Sequence, residues 1–187
     1  HDIQLMINLF REIKKNKFRS INIPKFDKSI DDRCEKNNWF KLKKKPDILI
    51  LEGWCVGAKP EGGKSLNRPI NFLEKNADKK KIWRSYVNNQ LKSKYSKLFD
   101  QLDSLLYLKA KNFKLLKRWR LKQEKKLKMK NGSKKNSKIM NDKEVETFMM
   151  TYQRITQNMF KNTPKYSSAV IDLNENHQIK KVKFKHV

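Results

Sequence analysis

Four consecutive apolar residues, 48–51, stand between a basic stretch that ends in Pro46 and the sequence Glu52-Gly53-Trp54, and they narrow the choice of fold. An unbroken apolar run this short predicts a strand buried on both faces, as in a parallel sheet covered by helices. Glu52 follows it directly. A carboxylate in that place lies at the carboxyl end of the strand, where open α/β sheets hold their ligands. Gly53 lets the backbone turn sharply and come close to a ligand. The same residues also read as a core strand ending in an exposed Glu.

The flanking segments supply helices and further short strands. Residues 2–15 place Ile3, Met6, Ile7, Phe10 and Ile13 on one helical face, with Asp2 as a candidate N-cap and Lys14 and Lys15 at the negative end of the helix dipole. Residues 18–24 alternate at Ile21 and Ile23 and stop at Pro24, which predicts a short strand. Residues 25–33 then read as a polar loop of both charge signs, and residues 58–71, with Pro60, Gly62, Gly63 and Pro69, as a long loop bordering a site. Residues 78–102 are helical, with Trp83, Val87, Leu91, Tyr95, Leu98 and Leu102 in one stripe. Residues 105–108 predict another strand, 114–130 a very basic helix and 131–141 a linker. Asn141 with Glu144 forms a capping-box pattern at the start of the next helix, whose buried face holds Val145, Phe148, Met149, Tyr152, Ile155 and Met159. Residues 168–173 and 178–184 read as a terminal hairpin. This order of elements favours an α/β fold in a single domain, and 187 residues can bury a substantial core.

Charge is the strongest compositional signal. The formal net charge is +27, which raises a nucleic-acid hypothesis. Against it, 38 of the 46 cations are Lys and eight are Arg, whereas planar phosphate and base recognition uses Arg. Much of the charge is therefore read as solvated surface; nucleic-acid binding is possible but not favoured. No apolar run approaches the ~18 residues of a membrane helix. Cys34 and Cys55 form no metal spacing and read as reduced thiols of a cytoplasmic protein.

Several stretches together resemble one family. They are His1-Asp2 opening a helix, Pro24-Lys25-Phe26-Asp27-Lys28-Ser29, Asp32-Arg33, Leu51-Glu52-Gly53-Trp54-Cys55-Val56-Gly57, and Trp119-Arg120-Leu121-Lys122-Gln123-Glu124 followed by Asp142-Lys143-Glu144-Val145. Weaker support comes from Asn71-Phe72-Leu73-Glu74 and Trp83-Arg84-Ser85-Tyr86-Val87-Asn88. In this order they resemble the D-glycerate 3-kinase group of P-loop kinases, relatives of uridine kinase and phosphoribulokinase. The resemblance implies a P-loop kinase-like parallel sheet flanked by helices. One departure matters: no G-x-x-x-x-G-K-[S/T] phosphate loop occurs in the chain. Set against the family, the chain corresponds to the C-terminal part of such a kinase, without the N-terminal strand and phosphate loop, and is expected to have little activity alone; a non-catalytic kinase remnant is the alternative.

The resemblance also implies roles. The expected reaction is phosphoryl transfer from ATP, with Mg²⁺, to a hydroxyl of a small acid such as D-glycerate. Glu52 matches the family's acid that holds Mg²⁺ through water. Asp2 matches the acid near the acceptor hydroxyl, with simple N-capping as the alternative. Asp27, Lys28 and Arg33 fall in the acceptor-binding loop, where a cation must meet the substrate carboxylate. Arg118 and Arg120 lie in a lid-like segment, residues 109–141, that would close over ATP. Residues 109–138 hold 14 cations and one acid, so a solvated basic helix is the alternative there.

Overall fold

A computed structural model describes residues 1–27, 32–131 and 139–185. Helix α1, Ile3–Lys14, opens on Asp2, whose carboxylate accepts the Leu5 N–H at 3.1 Å, and it buries Ile3, Ile7, Phe10 and Ile13. The stripe seen in sequence is thus the stripe that packs. It meets Leu98, with Met6, Leu51, Tyr95, Phe99 and Leu102 around it, in one of two apolar clusters.

Two small antiparallel pairs follow. Strand β1, Ile21–Ile23, pairs with β4, Phe40–Leu42. The segment read as a polar loop is instead the start and end of a tight pair, β2 (Phe26–Asp27) with β3 (Asp32–Arg33). Lys28 lies outside the described residues.

Residues 48–51 differ from expectation more than any other segment. They form no regular element and pair with no strand among the described residues, and Ile48 and Ile50 are 79% and 81% exposed. Leu51 alone packs inward, on the α1 cluster. The apolar run describes what the segment needs on both faces; only one of those surfaces is supplied by these residues.

After the loop that follows, which contains a 3₁₀ turn at Gly63–Asn67, come α2 (Phe72–Asn76), α3 (Ile82–Gln90), a π-helical turn at Leu91–Tyr95, and α4 (Ser96–Phe99). The stripe read over residues 78–102 survives at Leu91 and Leu98, but Trp83 is 61% exposed and stacks on Tyr86 instead. Trp83 sits in the first turn of α3, ahead of the π turn, and its spacing from Leu91 leaves it about 80° round the helix from that buried residue.

Strand β5, Leu106–Lys109, leads into α5 (Phe113–Asn131) and α6 (Asp142–Asn162) before the chain returns as β6, Ala169–Leu173, parallel to β5. Two helices are ample for a parallel crossover. A hairpin adds β7, Ile179–Phe184, antiparallel to β6. The second cluster joins this sheet to the helices through Ala58, Leu91, Tyr107, Met159 and Val170. The architecture is α/β, a sheet flanked by helices, with its far edge strand antiparallel.

Candidate active site

Two of the predicted residues, Asp2 and Arg33, meet at the N-terminus of α1. The Arg33 guanidinium donates to Asp2 Oδ2 at 3.0 Å, closing a link between the β2–β3 pair and the helix cap. Asp2 therefore does two jobs, one oxygen capping the helix and the other holding the cation. The Leu5 N–H, and then Arg33, hold its carboxyl below the usual range. Beside it His1 Nδ1 and the Tyr95 hydroxyl are 2.8 Å apart, so the π-helical turn also reaches this end of α1. Asp27 sits opposite Asp32 in the β2–β3 register, next to the Phe26–Arg33 pair.

Glu52 is exposed and has no hydrogen bond or ion pair to any described residue. Just after it, Trp54 donates from Nε1 to the Thr156 hydroxyl at 2.9 Å, and that hydroxyl donates in turn to the Tyr152 carbonyl. The Trp54 ring lies 5.4 Å from Tyr152, Tyr152 lies 5.1 Å from Phe148, and the Arg120 guanidinium stands 5.3 Å over Phe148. A wall of three aromatic rings thus joins the loop after Glu52 to α5. Burial, reinforced by Cys55, pushes the Tyr152 hydroxyl up and outweighs the opposing pull of Arg120. Burial pushes the Cys55 thiol up to about 12, so it stays protonated and is no nucleophile.

The two lid arginines part company. Arg120 faces α6, pairs with Glu124 and Gln123, and keeps a buried Nε with no partner among the described residues. Arg118 pairs with Glu175 in the β6–β7 turn at 2.9 Å. Trp119 anchors that turn too, donating to the Glu175 carbonyl and stacking on His177 at 4.2 Å between centroids. Two residues apart on a helix means roughly opposite faces.

Sequence reasoning gave no role to a buried ionic network behind the site. Arg154 grips Glu74 with two hydrogen bonds, 2.7 and 2.6 Å, and also reaches Glu61 and the carbonyls of Ser65 and Arg68. Arg84, buried, holds Asp78 and the Leu66 carbonyl. Together they fix the long 58–71 loop to α3 and α6. Glu74 and Arg84 lie in the stretches that gave the weaker family signal; Arg154 has only its place on an apolar helix face to mark it.

No group of three or more His, Cys, Asp or Glu among the described residues could hold a metal ion. A single free carboxylate suits Mg²⁺ held through its own waters, and Glu52 is such a group. The residues present do not fit the phosphates of ATP, because the Gly-rich loop that would cradle them is not in this sequence.

The fold is an α/β sheet flanked by helices, and comparison with known proteins shows which proteins share it. No family model matches the chain. It is similar to the uncharacterized kinase mug58 of Schizosaccharomyces pombe, 32% identical over 158 residues, which are 81% of this chain and 54% of that protein. It is 23% identical to the chloroplastic D-glycerate 3-kinase of Arabidopsis thaliana, over 81% of this chain and 31% of that one. Its fold matches a D-glycerate 3-kinase from Cryptococcus neoformans with a TM-score of 0.75 at 22% identity, covering 99% of this chain and 67% of that one. It also matches the YGR205w protein with a TM-score of 0.71 at 26% identity, covering 100% and 65%. The chain is thus similar to D-glycerate 3-kinase and related kinases, and it spans about half the length of the first of these relatives.

Proposed function

We propose that this chain is the acceptor-binding part of an ATP-dependent kinase that phosphorylates a hydroxyl of a small hydroxy acid, D-glycerate foremost. The observation that carries the reading is the Asp2–Arg33 pair at the N-terminus of α1. It sets a carboxylate able to orient a hydroxyl beside a cation able to hold a carboxylate, which are the two groups glycerate offers.

The pair explains how binding prepares the acid. While Arg33 is bonded to Asp2, the carboxylate is a weak base. A substrate carboxylate that takes over the guanidinium removes that stabilisation, so Asp2 rises toward its ordinary value as it meets the acceptor hydroxyl. Asp27 and Lys28 complete the acceptor loop in this reading. Glu52 would hold hydrated Mg²⁺, which would neutralise phosphate charge there, and Arg120, fixed on the aromatic wall, supplies positive charge from α5. Arg118 joins it only if the contact with Glu175 opens. ATP supplies the phosphoryl group; these 187 residues contain no Gly-rich phosphate loop, so the chain alone should show little or no transfer.

Three cations of the basic helix, Lys117, Arg118 and Arg120, are spent on Glu146, Glu175 and Glu124. This weakens the nucleic-acid reading. Calorimetric titration of the chain with D-glycerate tests the proposal. Arg33→Ala should weaken binding about 10- to 100-fold, the range of a charge-assisted hydrogen bond. Binding unchanged by that substitution would remove Arg33 from the site and the reading with it.

A further inference from the structure

Tyr95 closes the π-helical turn Leu91–Tyr95 and stands half-buried at a junction. It packs against both apolar clusters, with the Phe99 ring 5.8 Å away. Its hydroxyl reaches 94 positions back in sequence to His1 Nδ1, at 2.8 Å, and the two rings meet edge to face. Single π turns are rare and recur at functional sites.

The chemistry of the two groups decides which of them donates. This contact is the Tyr95 hydroxyl's one hydrogen bond to a described residue. If Nδ1–H donated to it, the hydroxyl proton would find no acceptor on any described residue; if the hydroxyl donates, the pair is satisfied. Burial, then the neighbouring Cys55, Tyr152 and Tyr86, push the Tyr95 hydroxyl up, so it keeps the proton it donates. Nδ1 is therefore the acceptor, and the neutral ring carries its proton on Nε2. Nε2 lies across the ring from Nδ1, and no described residue takes its N–H. His1 is exposed at the start of α1, next in sequence to Asp2.

That donor meets a need of the acceptor site. In the reading above, Arg33 takes the carboxylate of a small hydroxy acid and Asp2 accepts from the reacting hydroxyl. Glycerate has a second hydroxyl, on the carbon next to its carboxylate, and an ionised Asp2 has no proton to give that oxygen. We propose that Tyr95 is a positioning residue that fixes His1 with Nε2–H outward, as the donor to the non-reacting hydroxyl of a dihydroxy acid. The inference rests on the acceptor-site reading. It makes His1 the group that tells glycerate from an acid with the reacting hydroxyl alone.

The first measurement needs no substrate. Nitrogen NMR of the 187-residue chain, whose three histidines include His1, reads the tautomer directly, and His1→Ala identifies the His1 signals. Above neutral pH, His1 should show a bare Nδ1 and a protonated Nε2. Tyr95→Phe, which keeps the packed ring, should turn this into a mixture of both tautomers. The second measurement compares D-glycerate with 3-hydroxypropionate, which lacks the second hydroxyl, by calorimetric titration. Tyr95→Phe and His1→Ala should each weaken D-glycerate binding about 3- to 10-fold, the range of one neutral hydrogen bond, and weaken it no further when combined. Binding of 3-hydroxypropionate and the far-ultraviolet circular dichroism should stay unchanged. A proton on Nδ1, or a tautomer that Tyr95→Phe leaves as it was, overturns the proposal, as does equal weakening of both acids. If Arg33→Ala leaves glycerate binding unchanged, the acceptor-site reading itself fails and the donor role with it, whatever the tautomer.

Discussion

Arg154 shows what a single side chain holds in place here. Its guanidinium is bonded to Glu74 and Glu61, both at low exposure, and to two carbonyls of the 58–71 loop. Arg154→Ala would leave Glu74 buried without its partner, a loss of about 3–5 kcal/mol that urea denaturation will read. The same pair sets an acid limit. Burial works against the charge on Glu74, but hydrogen bonds from Arg154 and the Ile70 N–H, with the charges of Arg154 and Arg84, hold its carboxyl below the usual range; burial of Asp78 is likewise outweighed by the Trp83 and Arg84 N–H groups and the Arg84 charge. A carboxyl whose folded pKa lies below its unfolded one stabilises above the unfolded value, about 4, and loses that contribution as pH falls through the folded value. Melting temperature should therefore stay level from pH 7 to about 5 and drop below about 4, less steeply in Glu74→Gln. Gly57 is a different kind of constraint: its φ is +77°, and a Cβ there would come within 2.6 Å of Leu105 Cδ2. Gly57→Ala should cost about 1–3 kcal/mol by the same denaturation measurement. Gly53, singled out in the sequence as the turning residue, does not carry that conformation.

At the scale of elements, the sequence was most legible where a segment satisfies itself. Helix α6 carries its own start signal, and the capping box between Asn141 and Glu144 is present in full. Asn141→Ala should lower stability by about 1 kcal/mol in the same assay. Helix α1, the terminal hairpin and β5 were legible for the same reason, through period and punctuation. The Trp83 stripe failed at its start because repeated spacings of four drift round a helix of about 3.6 residues per turn, which carries Trp83 off the packed face. Residues 48–51 failed in an instructive way. Their pattern asks for burial on both sides, but burial depends on neighbours, and among the described residues only Leu51 finds them. The candidate site was legible at Asp2 and Arg33 through family likeness, whereas their direct contact, 31 residues apart, required coordinates. The network on Arg154 and the ring wall from Trp54 to Arg120 arise from contacts across about 80 to 100 residues, which spacing in sequence cannot convey.

At the scale of the whole molecule, a net charge of +27 is a load on the fold. Like charges repel across the surface and salt screens them, so the melting temperature should rise as sodium chloride goes from low to about 0.5 M; a fall would mean that surface ion pairs outweigh the repulsion. The same excess of positive charge would favour anionic substrates, which agrees with a hydroxy acid as acceptor. The most direct measurement is transfer of labelled phosphate from ATP to D-glycerate by the protein in its full natural length, with Mg²⁺ and with Arg33→Ala and Glu52→Ala alongside. The account predicts ATP-dependent phosphoglycerate from the unchanged protein and a loss on the order of 100-fold or more in each variant. A folded full-length protein that phosphorylates neither D-glycerate nor any other small hydroxy acid would contradict it.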